Sequence, residues 1–310
     1  MVELDPYFDC DGHLLLDALA LSAAFGTPFE LREIRAFEEK HKGLRPHQLA
    51  AIQLTGMLCG AEVRLSDTEV NFSPGPLRAG DFAVSIKTAG PISSVLQAAL
   101  LPALLAPGPV TLTILGGTDV LYRPNLAYVE NVLLPYYRMF ADISLKVIHR
   151  GIFPRGEGKV VVRIEDQRPA PAPDFAESPG FESFHLQVVG DASNGDEILE
   201  KLQDRLGKPL LVERLSPDLN VMSLCLWAQA RSGNWPCVVG SWRVGDSGMT
   251  PKFGIKLVNE LLERLTPPLY DPRVELLAWL AGGPLAETAT QESKELAATK
   301  YLIGTMGKVS

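Results

Sequence analysis

The sequence predicts a mixed α/β fold, α+β in its layering, in which one supersecondary unit is used more than once and a smaller α/β piece interrupts it. Three observations carry this reading. Apolar runs of helical length alternate with short β-rich runs. The order strand, helix, strand, helix, strand, strand recurs, which implies a repeated unit rather than a solenoid of short repeats. A break at "DQRPAPAPDFAESPG", with four prolines in fifteen residues, separates these repeats from a shorter stretch.

The elements follow in order. "LLLDALALSAAFG" is apolar on most faces and stops at Gly26, which predicts a buried helix with a glycine end. "PFELREIRA" alternates like a strand. "RPHQLAAIQLTGMLCGAEVRL" predicts a helix opened by Pro46 and closed by Gly60, then a strand. "TEVNFSPGPL" and "DFAVSIKTAG" are two strands around a Pro-Gly turn. The second pass has helices in "SSVLQAALLPALLA" and "LAYVENVLLPYYRMF", and strands in "PVTLTILGGT", "ISLKVIHRG" and "GKVVVRIE". Beyond the break, "FHLQVVGDASNGDEILEKLQDRLGKPLLVERLS" and "MSLCLWAQA" read as strand, helix, strand, strand, and the helix "TPKFGIKLVNELLERL" resumes the main domain. The expected division is a large domain of residues 1–167 and 241–310 with an insert at 168–240.

Composition narrows the function classes. With 310 residues and 46% hydrophobic side chains the chain can fill a sizeable core. Its longest apolar runs are broken by Pro, Gly and Gln97, so no membrane span is expected, and the acidic start lacks a secretory pattern. An intracellular place, cytoplasmic or nuclear, is the expectation. A net charge of -8 speaks against a broad basic nucleic-acid surface, although a local basic pocket remains compatible with it. Cys10, Cys59, Cys225 and Cys237 show no CxxC spacing, so reduced structural thiols are expected and no metal site.

The phrases "PGPLRAGD", "KTAG" followed by "VLQAALLPALL", "GGTD" and "RGIFPRGEGKV" resemble, in order and spacing, the RNA 3'-terminal phosphate cyclase family. With the upstream segments the similarity covers roughly residues 1 to 165. The resemblance implies a large domain of three units, each two helices on a four-stranded sheet, with a small α/β domain inserted in the third. The same unit serves enolpyruvyl transferases, so the fold alone does not name the chemistry. In active members ATP adenylylates a histidine, AMP passes to an RNA 3'-phosphate, and the neighbouring 2'-hydroxyl closes a 2',3'-cyclic phosphate, with ATP and Mg as the implied cofactors.

Position by position, the resemblance implies a site that has lost much of this chemistry. The family histidine falls in "TQESKELAATKYLIG", which contains none; Glu295 stands at its approximate position. All five histidines, His13, His41, His47, His149 and His185, lie well before that segment. The family's first loop, Glu-Gly-Gly-Gly-Gln followed by Arg, aligns with Asp9, Cys10, Asp11, Gly12 and His13, and its Arg with Leu16. The second loop keeps Gly43, Leu44, Arg45, His47 and Gln48, with Gln and His exchanged. Lys87 takes a glycine's place and Pro91 a serine's, while Pro272 and Arg273 replace an Asp-Gln pair tied to the adenylate. Gln97, Thr118 and Asp119 are the best preserved polar positions. Gln97 needs a partner, backbone or ligand, inside its apolar helix. Asp119 either caps the following helix or orients a polar site.

The ligand-binding candidates are therefore Asp9, His13, Arg45, Gln48, Lys87, Gln97, Thr118 and Asp119, and no catalytic residue stands out beyond the position of Glu295. The expected function is a cyclase-like pseudoenzyme that binds RNA 3' ends or RNA-processing proteins; a cyclase-like nucleolar factor of ribosome assembly that lacks the histidine is such a branch of the family. The alternatives are an active cyclase, an ATP-dependent ligase-type enzyme using Glu295 or a displaced histidine, and a transferase of small phosphorylated molecules.

Overall fold

The computed structural model describes residues 1–5, 13–37, 42–121, 123–154, 156–171, 181, 183–190, 195–208, 210–216, 219, 221–232, 235–245, 251–264, 277 and 301–306. The chain divides into two compact units: Met1–Gly117 with Phe140–Pro169 and Glu287–Ser310, and Thr118–Met139 with Ala170–Ala286.

In the first unit, β1 (Val2–Leu4), α1 (His13–Phe25), β2 (Phe29–Leu31), α2 (Pro46–Cys59), β3 (Glu62–Leu65) and β4 (Val70–Ser73) build a sheet of order β1-β2-β4-β3. The crossover helix α1 joins β1 to the parallel β2, and β4 pairs antiparallel with β2 and β3. The same order returns in the second sheet, β5-β6-β8-β7, formed by β5 (Gly80–Ser85), β6 (Val110–Gly116), β7 (Asp142–His149) and β8 (Gly158–Glu165), with α3 (Ile92–Leu104) crossing between β5 and β6. The repetition expected from the sequence is thus present as two copies of one topology.

Helices α1, α2 and α3 pack on one another, and burial explains why they are apolar nearly all round: Leu14, Leu15, Leu16, Leu19 and Leu21 of α1 are fully buried. Pro46 opens α2, and Gly60 closes it in the left-handed conformation at φ 58°. Pro102 lies inside α3 and removes the amide that would bond Ala98 O; Thr55 Oγ1 of α2 donates to that carbonyl instead, at 3.5 Å.

The second unit holds β9 (Ser183–Gly190), α6 (Gly195–Leu206), β10 (Leu210–Leu215), β11 (Met222–Ser232), β12 (Trp235–Gly245) and α7 (Pro251–Arg264). Its sheet order, β10-β9-β11-β12, differs from that of the two repeats. Strand β12 was not foreseen: its Trp-Pro start and two glycines mask an eleven-residue antiparallel partner of β11. Helices α6 and α7 pack together, α7 lies on β12 and β11, and Leu202, Leu257, Val258 and Leu261 complete a core with Leu186, Leu224 and Val239. Ser241 Oγ donates to Leu257 O at 2.7 Å, which ties the last strand to the helix.

The segment expected as one helix between β6 and β7 is three pieces, α4 (Leu126–Tyr128), a π-helical stretch Val129–Leu133, and α5 (Leu134–Tyr137). Pro135 is the physical reason: without an amide hydrogen and with a ring that crowds the carbonyl of Asn131, it widens the preceding turn. Asn125 caps α4, its Oδ1 accepting from Tyr128 N at 3.0 Å. Asp119 does not cap this helix. The expected third repeat falls largely on residues 265–276 and 278–300, outside the described residues. No helix among the described residues is long and apolar enough to cross a membrane.

Candidate functional site

Three of the motif phrases, "KTAG", the glycines of "GGTD" and "RGIFPRGEGKV", meet at one end of the second sheet, whereas "PGPLRAGD" lies at the other, where Gly80 N donates to Pro109 O at 2.9 Å. Gly117 N donates to Gly90 O at 2.7 Å and Ile92 N to Gly117 O at 2.9 Å, so "KTAG" and "GGT" are laced together at the start of α3. The loop "RGIFPRGEG" closes on them through two glycines. A Cβ on Gly156 (φ 78°) would lie 2.6 Å from Thr88 O and 2.8 Å from Ala89 Cα. One on Gly151 would lie 1.9 Å from Gly156 O, 2.1 Å from Gly158 N and 2.6 Å from Gly116 O. Backbone therefore touches backbone here, and only glycine permits it.

This knot holds the first turn of α3. Its N-cap is Pro91, which supplies no side-chain cap. Ser93 and Ser94, in the first turn, are 8% and 2% exposed, and neither Oγ has a hydrogen-bond partner among the described residues. A helix start with two buried hydroxyls and no side-chain cap suits a small anion. His47 lies against the same turn, its Cβ 3.4 Å from the place of a Cβ on Gly90. Sequence reasoning passed over Ser93 and Ser94 because serine at a helix start is ordinary; their enclosure is visible only in three dimensions.

One turn further along α3, Gln97 meets α1. Its Nε2 donates to Asp17 Oδ1 at 2.7 Å and lies 3.5 Å from His13 Nδ1. His13 and Asp17 are four residues apart and share a face of α1. The partner that Gln97 requires is thus a carboxylate of the protein's own, and Asp17 is a residue the sequence reading missed. Leu16, at the position of the family's cation, is fully buried, and α1 carries no Lys or Arg. The family's cation is thus replaced at this position by an apolar side chain packed in the core. Among the described residues no group of three or more His, Cys, Asp or Glu could hold a metal ion.

The second loop is tied down on both sides, Leu44 N donating to Asp67 O at 2.9 Å. Arg35 donates through Nε to Gly43 O at 3.0 Å and through NH2 to Gln48 Oε1 at 2.5 Å. The same Oε1 accepts from Arg45 N at 2.9 Å, so Gln48 caps the start of α2. Gln48 is completely buried, and its Nε2 has no partner among the described residues.

Lys87 sits in the turn between β5 and α3 at φ 61°, the left-handed region, where the family's glycine is at ease. Replacing it, Lys87→Gly, should raise stability by about 0.5–1 kcal/mol, as relief of the left-handed cost of about 1–2 kcal/mol outweighs the added freedom of the unfolded chain. An unchanged or lower urea midpoint would contradict this. Thr118 Oγ1 donates to Asp119 Oδ2 at 2.8 Å, and both residues are 2% exposed at the start of the second unit's chain. Asp9 and Glu295 lie outside the described residues.

Cys59, Cys225 and Cys237 are buried, and burial pushes the Cys237 thiol up to about 11, away from the reactive thiolate. His185 of β9 stacks on Trp227 with ring centroids 5.2 Å apart and an interplanar angle of 13°. Burial lowers its pKa, so the unfolded chain binds the proton more readily. Its share of stability is complete above the unfolded value of about 6.5 and is lost as pH falls through it. The urea midpoint of the wild type should therefore fall more between pH 7.5 and 5.5 than that of His185→Phe; equal falls would contradict the assignment.

Comparison with known proteins places this arrangement. The family model described as RNA 3'-terminal phosphate cyclase matches residues 10–266. The RNA 3'-terminal phosphate cyclase of Pyrobaculum aerophilum is 30% identical over 321 residues, covering 96% of this chain and 90% of that protein. The protein of the same name from Pyrobaculum neutrophilum is 32% identical over 322 residues, with the same coverage of 96% and 90%. Among solved structures, the enolpyruvyl transferase NikO from Streptomyces tendae aligns at 16% identity over 52% of this chain and 33% of its own, with a TM-score of 0.27, too distant to bear on the argument.

Proposed function

The chain belongs to the RNA 3'-terminal phosphate cyclase family, and from that premise we propose that it binds RNA 3' ends without cyclising them. One observation carries the reading: the Gln97 amide, the best preserved polar group, is engaged by Asp17 beside a fully buried Leu16 in place of a cation. The segment "TQESKELAATKYLIG", which the resemblance aligns with the family's adenylyl acceptor, contains no histidine, and this supports the reading. What remains suits binding: the start of α3 offers buried hydroxyls to a terminal phosphate, with Lys87 exposed in the turn before it.

The second reading, an active ATP-dependent cyclase, draws support from relatives of that name at 30% and 32% identity over 96% of the chain. Incubation of a 3'-phosphorylated oligoribonucleotide with the protein, ATP and Mg separates the two. Binding without a 2',3'-cyclic product is expected; a cyclic product overturns the proposal. We also keep the division into a repeat domain and an insert as a proposal, and the packing of α7 on α6 and β12 favours extending the insert past residue 240.

A further inference from the structure

The second sheet has one face against the helices, built by Val84, Leu112, Ile114, Val160, Val162 and Ile164, all buried. Its other face carries the alternate residues. Across that face the pairing sets Ser85, Leu115, Lys159 and His149 in one row, Ala83, Thr113, Val161 and Lys146 in the next, and Asp81, Thr111, Arg163 and Ser144 in a third. Lys146 is thereby a diagonal neighbour of both Lys159 and Arg163, about 7–8 Å from each. Lys146, Arg163 and His149 are exposed and Lys159 is half-buried.

No acid interrupts this strip on β7 and β8. The carboxylates of the face lie apart from it: Asp81 on the far edge strand, and Glu165 beside Asp142 in a fourth row, where Arg168 binds Asp142 at 2.7 Å. In a chain of net charge -8 such a run of cations is a local departure. Beyond the Lys159 row, the loop that closes on Thr88 and Ala89 presents Phe153, which is 77% exposed. A large aromatic left in water beside a line of cations is the pairing that single-stranded nucleic acid uses, bases stacking on the ring and phosphates meeting the cations. A protein partner would call for an apolar core, which a face carrying so many charged and hydroxyl side chains does not offer.

We infer that the outer face of the second sheet, through Lys146, Lys159, Arg163 and Phe153, is a contact surface for single-stranded RNA. It holds the strand body at a place separate from the start of α3, and it rests on the reading that the protein binds RNA. The surface predicts a length dependence that a pocket for the terminal nucleotide alone lacks.

The test measures fluorescence anisotropy with a 20-nucleotide and a 4-nucleotide oligoribonucleotide, both 3'-phosphorylated, on the full chain. Wild type should bind the longer strand more tightly. The triple variant Lys146→Gln, Lys159→Gln, Arg163→Gln should weaken the 20-mer at least tenfold and flatten its salt dependence by about two units of log–log slope, at about 0.7 per phosphate contact. Phe153→Ala should weaken the 20-mer several-fold with the slope unchanged, and no variant should alter the 4-mer. Lys146, Arg163 and Phe153 are exposed and Lys159 is half-buried, and thermal melts matching wild type certify folding. If the 20-mer binds and the variants bind it like wild type, the surface is overturned and the RNA reading stands. If neither strand binds, both fall. Equal affinity for a duplex of the same length overturns the stacking role of Phe153.

Discussion

Gly151→Ala should leave little folded protein. A methyl group there lies within 2.6 Å of three backbone atoms, Gly156 O, Gly158 N and Gly116 O, from three segments that are themselves hydrogen-bonded or strand-paired. No side-chain rotation can relieve such an overlap, so the strand ends and the α3 turn must part. The expected loss is about 4 kcal/mol or more, at the extreme of what single substitutions cost. Gly207→Ala is the control, because Gly207 has φ 61° but nothing within 4 Å of the new carbon; it should cost only about 1 kcal/mol. Equal urea midpoints for Gly151→Ala and wild type would mean that the glycine knot does not close as described.

Asn125→Ala should be the most costly polar truncation in the second unit. The residue is fully buried; its Oδ1 caps α4, while Nδ2 donates to Ser223 Oγ at 2.8 Å and to Leu224 O at 3.0 Å. Removal forfeits a cap of about 1 kcal/mol and strips a hydroxyl and a carbonyl of their donor at about 1–3 kcal/mol. A loss of about 3 kcal/mol in chemical denaturation follows. Asn125→Ser retains a capping oxygen and should recover about a third of it. A loss below about 1 kcal/mol would show that the cross-links from the α4 start to β11 contribute little.

Much of the architecture is legible in the sequence because its signals are local. Pro46 and Gly60 bracket α2 as helix starts and stops do, and the apolar run of α1 announces a helix buried on every side. The π-helical stretch is legible in principle through Pro135, whereas β12 is hidden by Pro236 and Gly240 within it. The site is harder. Gln97 declares a need for a partner, but Asp17 is 80 residues away and is a single acid within an otherwise apolar run, with nothing local to tie it to Gln97. Lys87 hides a left-handed backbone behind a side chain that rarely adopts one, and only the family's glycine hints at it. Ser93 and Ser94 carry no signal until the glycine knot encloses them.

The central claim is that this member of the family binds an RNA end without forming an adenylylated protein. Incubating the purified full chain with α-labelled ATP and Mg, then separating it under denaturing conditions, tests this most directly. No covalent label on the protein is the predicted result, alongside retained binding of a 3'-phosphorylated oligoribonucleotide. Stoichiometric labelling that RNA 3'-phosphate discharges would contradict it and return the chain to the active cyclases.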